Sequence, residues 1–257
     1  MDALALSSPA DWSAAVLAVV LVGLSKGGLG GAGALMGVPL MSLVMSPVQA
    51  AGLLLPLLII MDGVSLWTWW RAWDRDLLRE VLPGAIFGVG LGWALAAMVS
   101  DDAVRLIVAV ICLVFVGQWL RSLESGRTEP RARNPVKGAF WGGVAGYTSF
   151  VAHAGSPPFN VYALPLGLTP ARFTGTAVAF FTAVNLVKLL PYAALGQLGV
   201  GNLATSALLV PPAALAVLAG AFVVRRMRAE VFYPFMYVMV LLVGLKLLWD
   251  GATGLLS

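Results

Sequence analysis

The stretch LSKGGLGGAGALMGVP, Leu24 to Pro39, interrupts a long apolar run with glycines and a single lysine. A related interruption, FVAHAGSPPFNVYALP, returns at Phe150 to Pro165. Around both, apolar segments recur from Trp12 to Ser257 with short polar connections, and each is long enough for a bilayer crossing of about 20 helical residues. Irregular backbone at membrane depth is tolerated only where it is buried in protein or lines a cavity, so two broken helices point to a transporter.

Of the 257 residues 60% are hydrophobic and 11% charged, against roughly 45 to 50% and 25% in an ordinary soluble domain. A single transmembrane domain over residues 1–257 is expected, with no room for a soluble catalytic domain. Asp2 and Asp11 precede the first basic residue, Lys26. The positive n-region of a signal peptide is therefore missing, and the first apolar segment is expected to stay in the mature chain. Cys112 is the sole cysteine, which excludes an intrachain disulfide, a CxxC redox pair and a thiolate metal cluster. The net charge of +4 resides in short loops between spans. It reports topology and not a nucleic-acid partner.

The chain repeats itself. SPVQAAG at Ser46 to Gly52 matches TPARFTG at Thr169 to Gly175, and Asp62 matches Asn185, both 123 positions on. LPG at Leu82 to Gly84 matches VPP at Val210 to Pro212, 128 positions on. Such drift is what an internal duplication leaves. The boundaries read as repeat 1 over about 12–121, a loop over 122–136 and repeat 2 over about 137–250. Polar loops are expected at Arg71 to Glu80, Ser100 to Arg105, Arg121 to Lys137, Gly196 to Asn202 and Arg225 to Glu230.

Charge orients the halves. If each broken segment is a hairpin followed by three crossings, the loops with Arg71/Arg75/Arg79, Arg121 to Lys137, Arg172 and Arg225/Arg226/Arg228 share one face. That places twelve of the sixteen basic residues together, as the positive-inside rule requires. Trp12 to Ser46 spans 35 residues, about 52 Å of helix at roughly 1.5 Å per residue, too long for one upright span. The expected fold is therefore an all-α polytopic membrane protein of two inverted repeats, each a broken-helix hairpin plus three transmembrane helices, with both termini outside. Gly84/Gly88/Gly92 and Gly138/Gly142/Gly146 read as close helix packing. The outer helices read as scaffold, lipid-facing surface or homodimer surface.

Ionisable residues at membrane depth are costly and usually functional. Lys26 and Asp62 belong to the first half, His153 and Lys188 to the second. At an offset of 127, Lys26 falls on His153 and Gly28 on Gly155, which puts one basic side chain at each hairpin tip. Ser156 is the expected N-cap and Pro157 the first helical residue. Two positive helix ends, a lysine and a histidine make an anion site. Ser25, Thr148, Ser149, Ser156 and Asn160 are candidate donors. Asp62 reads either as a proton carrier or as the structural partner of Lys26 or Lys188. Lys188, one turn from Asn185, fits either role. The alternatives for Lys26 and His153 are a snorkelling lysine and a neutral, backbone-bonded histidine.

Gly28, Gly30 and Gly33 satisfy GxGxxG, but a membrane helix precedes them and not a strand. GLSKGGLGG lacks the GK[ST] ending of a P-loop. Asp101-Asp102 begins like DDxxD, yet Arg105 takes the third acidic position. No cofactor and no metal is expected. A membrane-embedded enzyme would need clustered carboxylates or several histidines at membrane depth, and the chain has one histidine.

The glycine-rich first helix ending in GVPL, the proline-led SPVQAAG, the basic mid-chain loop, AGSPPFNVYALP and TPARFTGTA together resemble the sulfite exporter TauE/SafE family of bacterial membrane permeases. The likeness runs from about Trp12 to Asp250. It implies a secondary transporter of the inner membrane that exports sulfite or a small organosulfonate such as sulfoacetate, for which the distribution of basic residues predicts periplasmic termini. Its site would comprise Ser25, Lys26, Gly27 and Gly28 on one tip and His153, Gly155, Ser156 and Pro157 on the other, with Asn160 and Asn185 nearby. Asp62, His153 and Lys188 are the proton-coupling candidates. A negative cytoplasm favours exit of a monovalent anion by about 2.3 kcal/mol at 100 mV. An anion channel, or a permease for another small organic anion, would share the site.

Overall fold

The computed structural model describes residues 6, 8–29, 37–41, 44, 45, 47–95, 100–124, 130–152, 154–194 and 200–256. Every regular element among them is helical. The helices are α1 (Pro9–Leu24), α2 (Gly37–Met41), α3 (Pro47–Thr68), α4 (Arg75–Leu95), α5 (Asp101–Glu124), α6 (Pro135–Ala152), α7 (Ser156–Ala163), α8 (Pro170–Ala194), α9 (Val200–Arg226) and α10 (Ala229–Leu256). Six of the described helical stretches are long and apolar enough to cross a membrane.

Local chemistry sets the ends. Ser8 caps α1 in a reciprocal pair with Asp11, and Pro9 follows where its missing N–H costs nothing. Asp74 caps α4 by accepting from Leu77 N–H at 3.0 Å. Arg75, Asp76, Arg79 and Glu80 are consequently helical and not loop. The other polar segments are likewise shorter than expected: α5 starts at Asp101 and runs to Glu124, while α9 starts at Val200 and runs to Arg226. Charged side chains fit the terminal turns of a spanning helix because those turns already reach water.

Both interruptions occur. After Leu24 the helix widens into a π-type turn over Ser25–Leu29, and Gly28 adopts φ 131°, a conformation that L side chains rarely adopt. The chain returns through α2, where Gly37 packs on Val22 and Leu54. In the second half, α6 ends at Ala152 and α7 starts at Ser156. The basic segments meet at one end of the molecule. Arg225 donates to the carbonyl of Thr68, Arg133 and Arg172 pair with Asp74, and Arg131 N–H donates to Pro165 O.

Backbone packs on backbone at the predicted glycine stripes. A Cβ on Gly84 or Gly88 would stand 1.9 or 2.0 Å from the carbonyl oxygens of Ala139 and Gly143, and one on Gly142 or Gly146 would stand 2.1 Å from those of Val81 and Ala85. Helices α4 and α6 thus touch along their main chains. The same relation recurs between α1 and α9. Gly146 beside Ala85 has its counterpart in Gly23 beside Ala213, and Gly92 beside Phe150 in Gly220 beside Gly27. The shifts are the 123 and 128 positions read from the sequence.

Two apolar cores result. The smaller joins α1, α2, α3 and α9 around Val19, Met41, Leu57 and Val217. The larger joins α4 to α8 and α10, with the ends of α3 and α9, around Leu77, Cys112, Phe159, Phe180 and Phe232. Helices α3 and α8 pack against each other between them.

Candidate functional site

A wide turn leaves carbonyls without their usual helical donors. Here α3 and the residue that follows it supply replacements. Ser65 Oγ donates to Lys26 O at 3.1 Å, and Trp69 Nε1 donates to Gly27 O at 3.1 Å. These bonds hold the broken helix against α3 and bring the Lys26 side chain to Asp62, Nζ to Oδ1 2.6 Å. The other carboxylate oxygen accepts from Asn185 Nδ2 on α8, also at 2.6 Å. Asp62 is buried, with 3% of its surface exposed. An ionised carboxylate there requires its cation and its amide donor.

Of the alternatives for Lys26 and Asp62, the structure therefore holds the pair of the two with each other. Lys188, one turn beyond Asn185, is buried and turns to the second half, donating to Ser149 O at 2.8 Å and Ser149 Oγ at 3.4 Å. Ser65 to Lys26 O and Lys188 to Ser149 O are the same bond in the two halves, shifted by 123 positions at both ends. The position equivalent to Lys26 in this packing is Ser149. The offset of 127 that equated Lys26 with His153 is not the one the helix contacts follow. His153 lies outside the described residues.

The second break is secured by Thr148, whose carbonyl accepts from Ala154 N–H at 3.0 Å and whose Oγ1 lies within donating distance of both Val144 O, at 2.8 Å, and Ala154 O, at 3.0 Å. The N-cap of α7 is Gly155, with no side-chain bond, and Ser156 and Pro157 occupy its first two helical positions. This shifts the expected cap by one residue. With Pro157 and Pro158 in the first turn and Phe159 N–H bonded to Gly155 O, the helix start offers fewer free donors than the sequence reading assumed. Its dipole end remains. Gly155 packs against Ala145 O, Ser149 and Phe181. Pro157 and Asn160 are buried in α7, which packs on α6 and α5.

Three features of the site are not predicted by the sequence. Ser65 and Trp69 hold the wide turn. Thr174 on α8 buries a hydroxyl that has no hydrogen-bond partner among the described residues, and it lies beside Gly28. Asp74, at the end where the basic segments meet, accepts from Arg133 Nη1 at 2.9 Å and Nη2 at 2.5 Å, with Arg172 Nε at 3.4 Å and Thr176 Oγ1 2.7 Å from its N–H. Those arginines hold its carboxyl at a pKa of about 2. The matching of Ser65 to Lys188 at the Asp62 offset was the one sequence signal available for any of these.

Among the described residues no group of three or more His, Cys, Asp or Glu side chains is placed to hold a metal. The site is a buried ion pair with an amide and hydroxyls at the seam of two helical bodies, which suits binding and displacement of a small ion. No curated protein and no solved structure matches the chain. The family model described as Sulfite exporter TauE/SafE matches residues 15–247. With six candidate spans the chain is a multi-pass membrane protein, and it belongs to the sulfite exporter TauE/SafE family of permeases.

Proposed function

We propose that the protein is a secondary transporter that carries a small sulfur-containing anion, sulfite or an organosulfonate such as sulfoacetate, out across the bacterial inner membrane. The observation that carries the reading is Asp62, a buried carboxylate held by Lys26 from one half and Asn185 from the other. It occupies the place that a transported anion would take. Family membership supplies the sulfur oxyanion class.

On this reading the anion competes with Asp62 for the Lys26 ammonium. We assign the coupled proton to Asp62, which gives up its cation when the anion binds. The loaded site then holds one anion and one proton, and transport of a monovalent anion is electroneutral, driven outward by the substrate's own gradient. The halves are read as inverted repeats with both termini periplasmic, supported by the meeting of the basic segments at one end. Ser25, Gly27 and Gly28 adjoin Lys26 in the chain and Thr174 lies beside Gly28, and the second tip of the proposed site comprises Gly155, Ser156, Pro157 and Asn160, with His153 as its expected basic residue.

Thermal stabilisation of purified protein by sulfite, sulfoacetate, taurine and sulfate tests the site, repeated with Lys26→Ala and His153→Ala. Unchanged affinity in both variants removes the site assignment. Flux in liposomes tests the coupling: a pH gradient should drive uptake, and an imposed membrane potential should not. Flux that follows the potential in wild type and in Asp62→Asn alike indicates a channel-like or uncoupled permease.

A further inference from the structure

Where α3 and α9 end together, an open cleft of about 380 Å³ is lined by Trp67, Leu218, Phe222, Arg225 and Arg226. Its apolar side faces outward: Trp67 is 74% exposed and Phe222 57%. Its polar side holds two guanidinium groups, Arg225 over the Trp69 ring and Arg226 over the Phe222 ring. Neither arginine pairs with a carboxylate among the described residues, as is also true of Arg71, Arg75, Arg121 and Arg131; what sets Arg225 and Arg226 apart is that both guanidinium groups line one cleft beside exposed aromatic rings.

The duplication provides an internal comparison. At the 123 and 128 offsets, Trp67 corresponds to Leu190, Leu218 to Gly90, Phe222 to Ala94, Arg225 to Ala97 and Arg226 to Met98. The sequence of the other half thus carries neither charges nor aromatic rings at these positions, of which 97 and 98 lie outside the described residues. Packing of the two helices does not demand them.

We infer that this cleft is a binding site for an anionic phospholipid, with its phosphate on Arg225 and Arg226 and its acyl chain along Trp67, Leu218 and Phe222. Guanidinium forks match phosphate oxygens, and a basic pocket between spanning helices beside an aromatic rim is suited to a lipid headgroup. A free phosphate ion would use the arginines but leave the apolar wall idle.

The test is native mass spectrometry and thermal unfolding of delipidated full-length protein. The probes are phosphatidylglycerol, phosphatidylcholine with the same acyl chains, and glycerol 3-phosphate. Phosphatidylglycerol should be retained in preference to phosphatidylcholine and should raise the unfolding midpoint, while glycerol 3-phosphate does neither. Arg226→Gln and Arg225→Gln should each weaken retention by about fivefold. Trp67→Ala should weaken it without changing the headgroup preference. Arg121→Gln, an exposed arginine elsewhere, should leave it unchanged. Arg225 also holds Thr68 O, so Arg226→Gln decides if the other variant misfolds. Wild-type retention in Arg226→Gln, equal retention of the two lipids, an equal loss in Arg121→Gln, or displacement of phosphatidylglycerol by glycerol 3-phosphate overturns the inference.

Discussion

Asp62 and Asn185 stand 123 positions apart in the chain and 2.6 Å apart in space. Equivalent positions of a duplicated chain meet only where the axis relating the copies passes between them. The two positions differ, acid on one side and amide on the other. The divergence allows a bond in place of a repulsion between two carboxylates.

The Lys26 and Asp62 pair should behave as a unit. Lys26→Met leaves a buried carboxylate without its cation, and a loss of about 3 to 5 kcal/mol is expected. Adding Asp62→Asn should recover much of that loss. Thermal unfolding of the two single variants and the double variant measures the coupling, and strictly additive effects would show that the two side chains do not act together.

Trp69→Phe and Ser65→Ala each remove a donor from a carbonyl of the wide turn. A buried acceptor left without a partner costs about 1 to 3 kcal/mol. Amide hydrogen exchange over residues 25–29 should accelerate in both variants and remain at its wild-type rate along α10.

Gly88 and Gly90 provide a contrast within one helix. A Cβ at Gly88 would lie 2.0 Å from Gly143 O, and one at Gly90 would meet nothing within 4 Å. Gly88→Ala should lose about 1 to 3 kcal/mol by forcing α4 from α6. Gly90→Ala should be neutral or gain up to about 1 kcal/mol from helix propensity. Unfolding midpoints of the two variants decide.

The Asp74 cluster should resist acid. Its carboxyl is held at a pKa of about 2 against an ordinary 3.8, so its contribution, about 2 kcal/mol, is complete above the ordinary value and fades as pH falls through the folded one. The gap in unfolding midpoint between wild type and Asp74→Asn should stay constant from pH 7 to about 5 and narrow below about 4. A gap that narrows near neutral pH would place its cause elsewhere.

The broken helices, the two offsets and the set of basic segments that meet were legible because composition and spacing survive duplication. Lys26, Asp62 and Asn185 were legible as isolated costs, since an ion at membrane depth needs a reason. Their arrangement was not: whether Asp62 takes Lys26 or Lys188 depends on where the wide turn over Ser25–Leu29 presents Lys26, which no spacing in the sequence fixes. The offset of 127 aligns basic character, at a His153 that lies outside the described residues, while the helix contacts align the donors Ser65 and Lys188 at 123. Trp69 escaped notice because a tryptophan near a helix end reads as an interfacial anchor until the carbonyl opposite it is known.

The main-chain contact of α4 with α6, and its copy between α1 and α9, fixes what can move. Helices joined at that distance cannot slide or part without breaking every glycine contact along them. Each contact ties a helix of the first half of the chain to a helix of the second. On the transporter reading proposed above, the bodies that move are therefore not the two halves of the sequence. Each of the two apolar cores combines helices of both halves, and the seam between them runs between α3 and α8, where Asp62 meets Asn185.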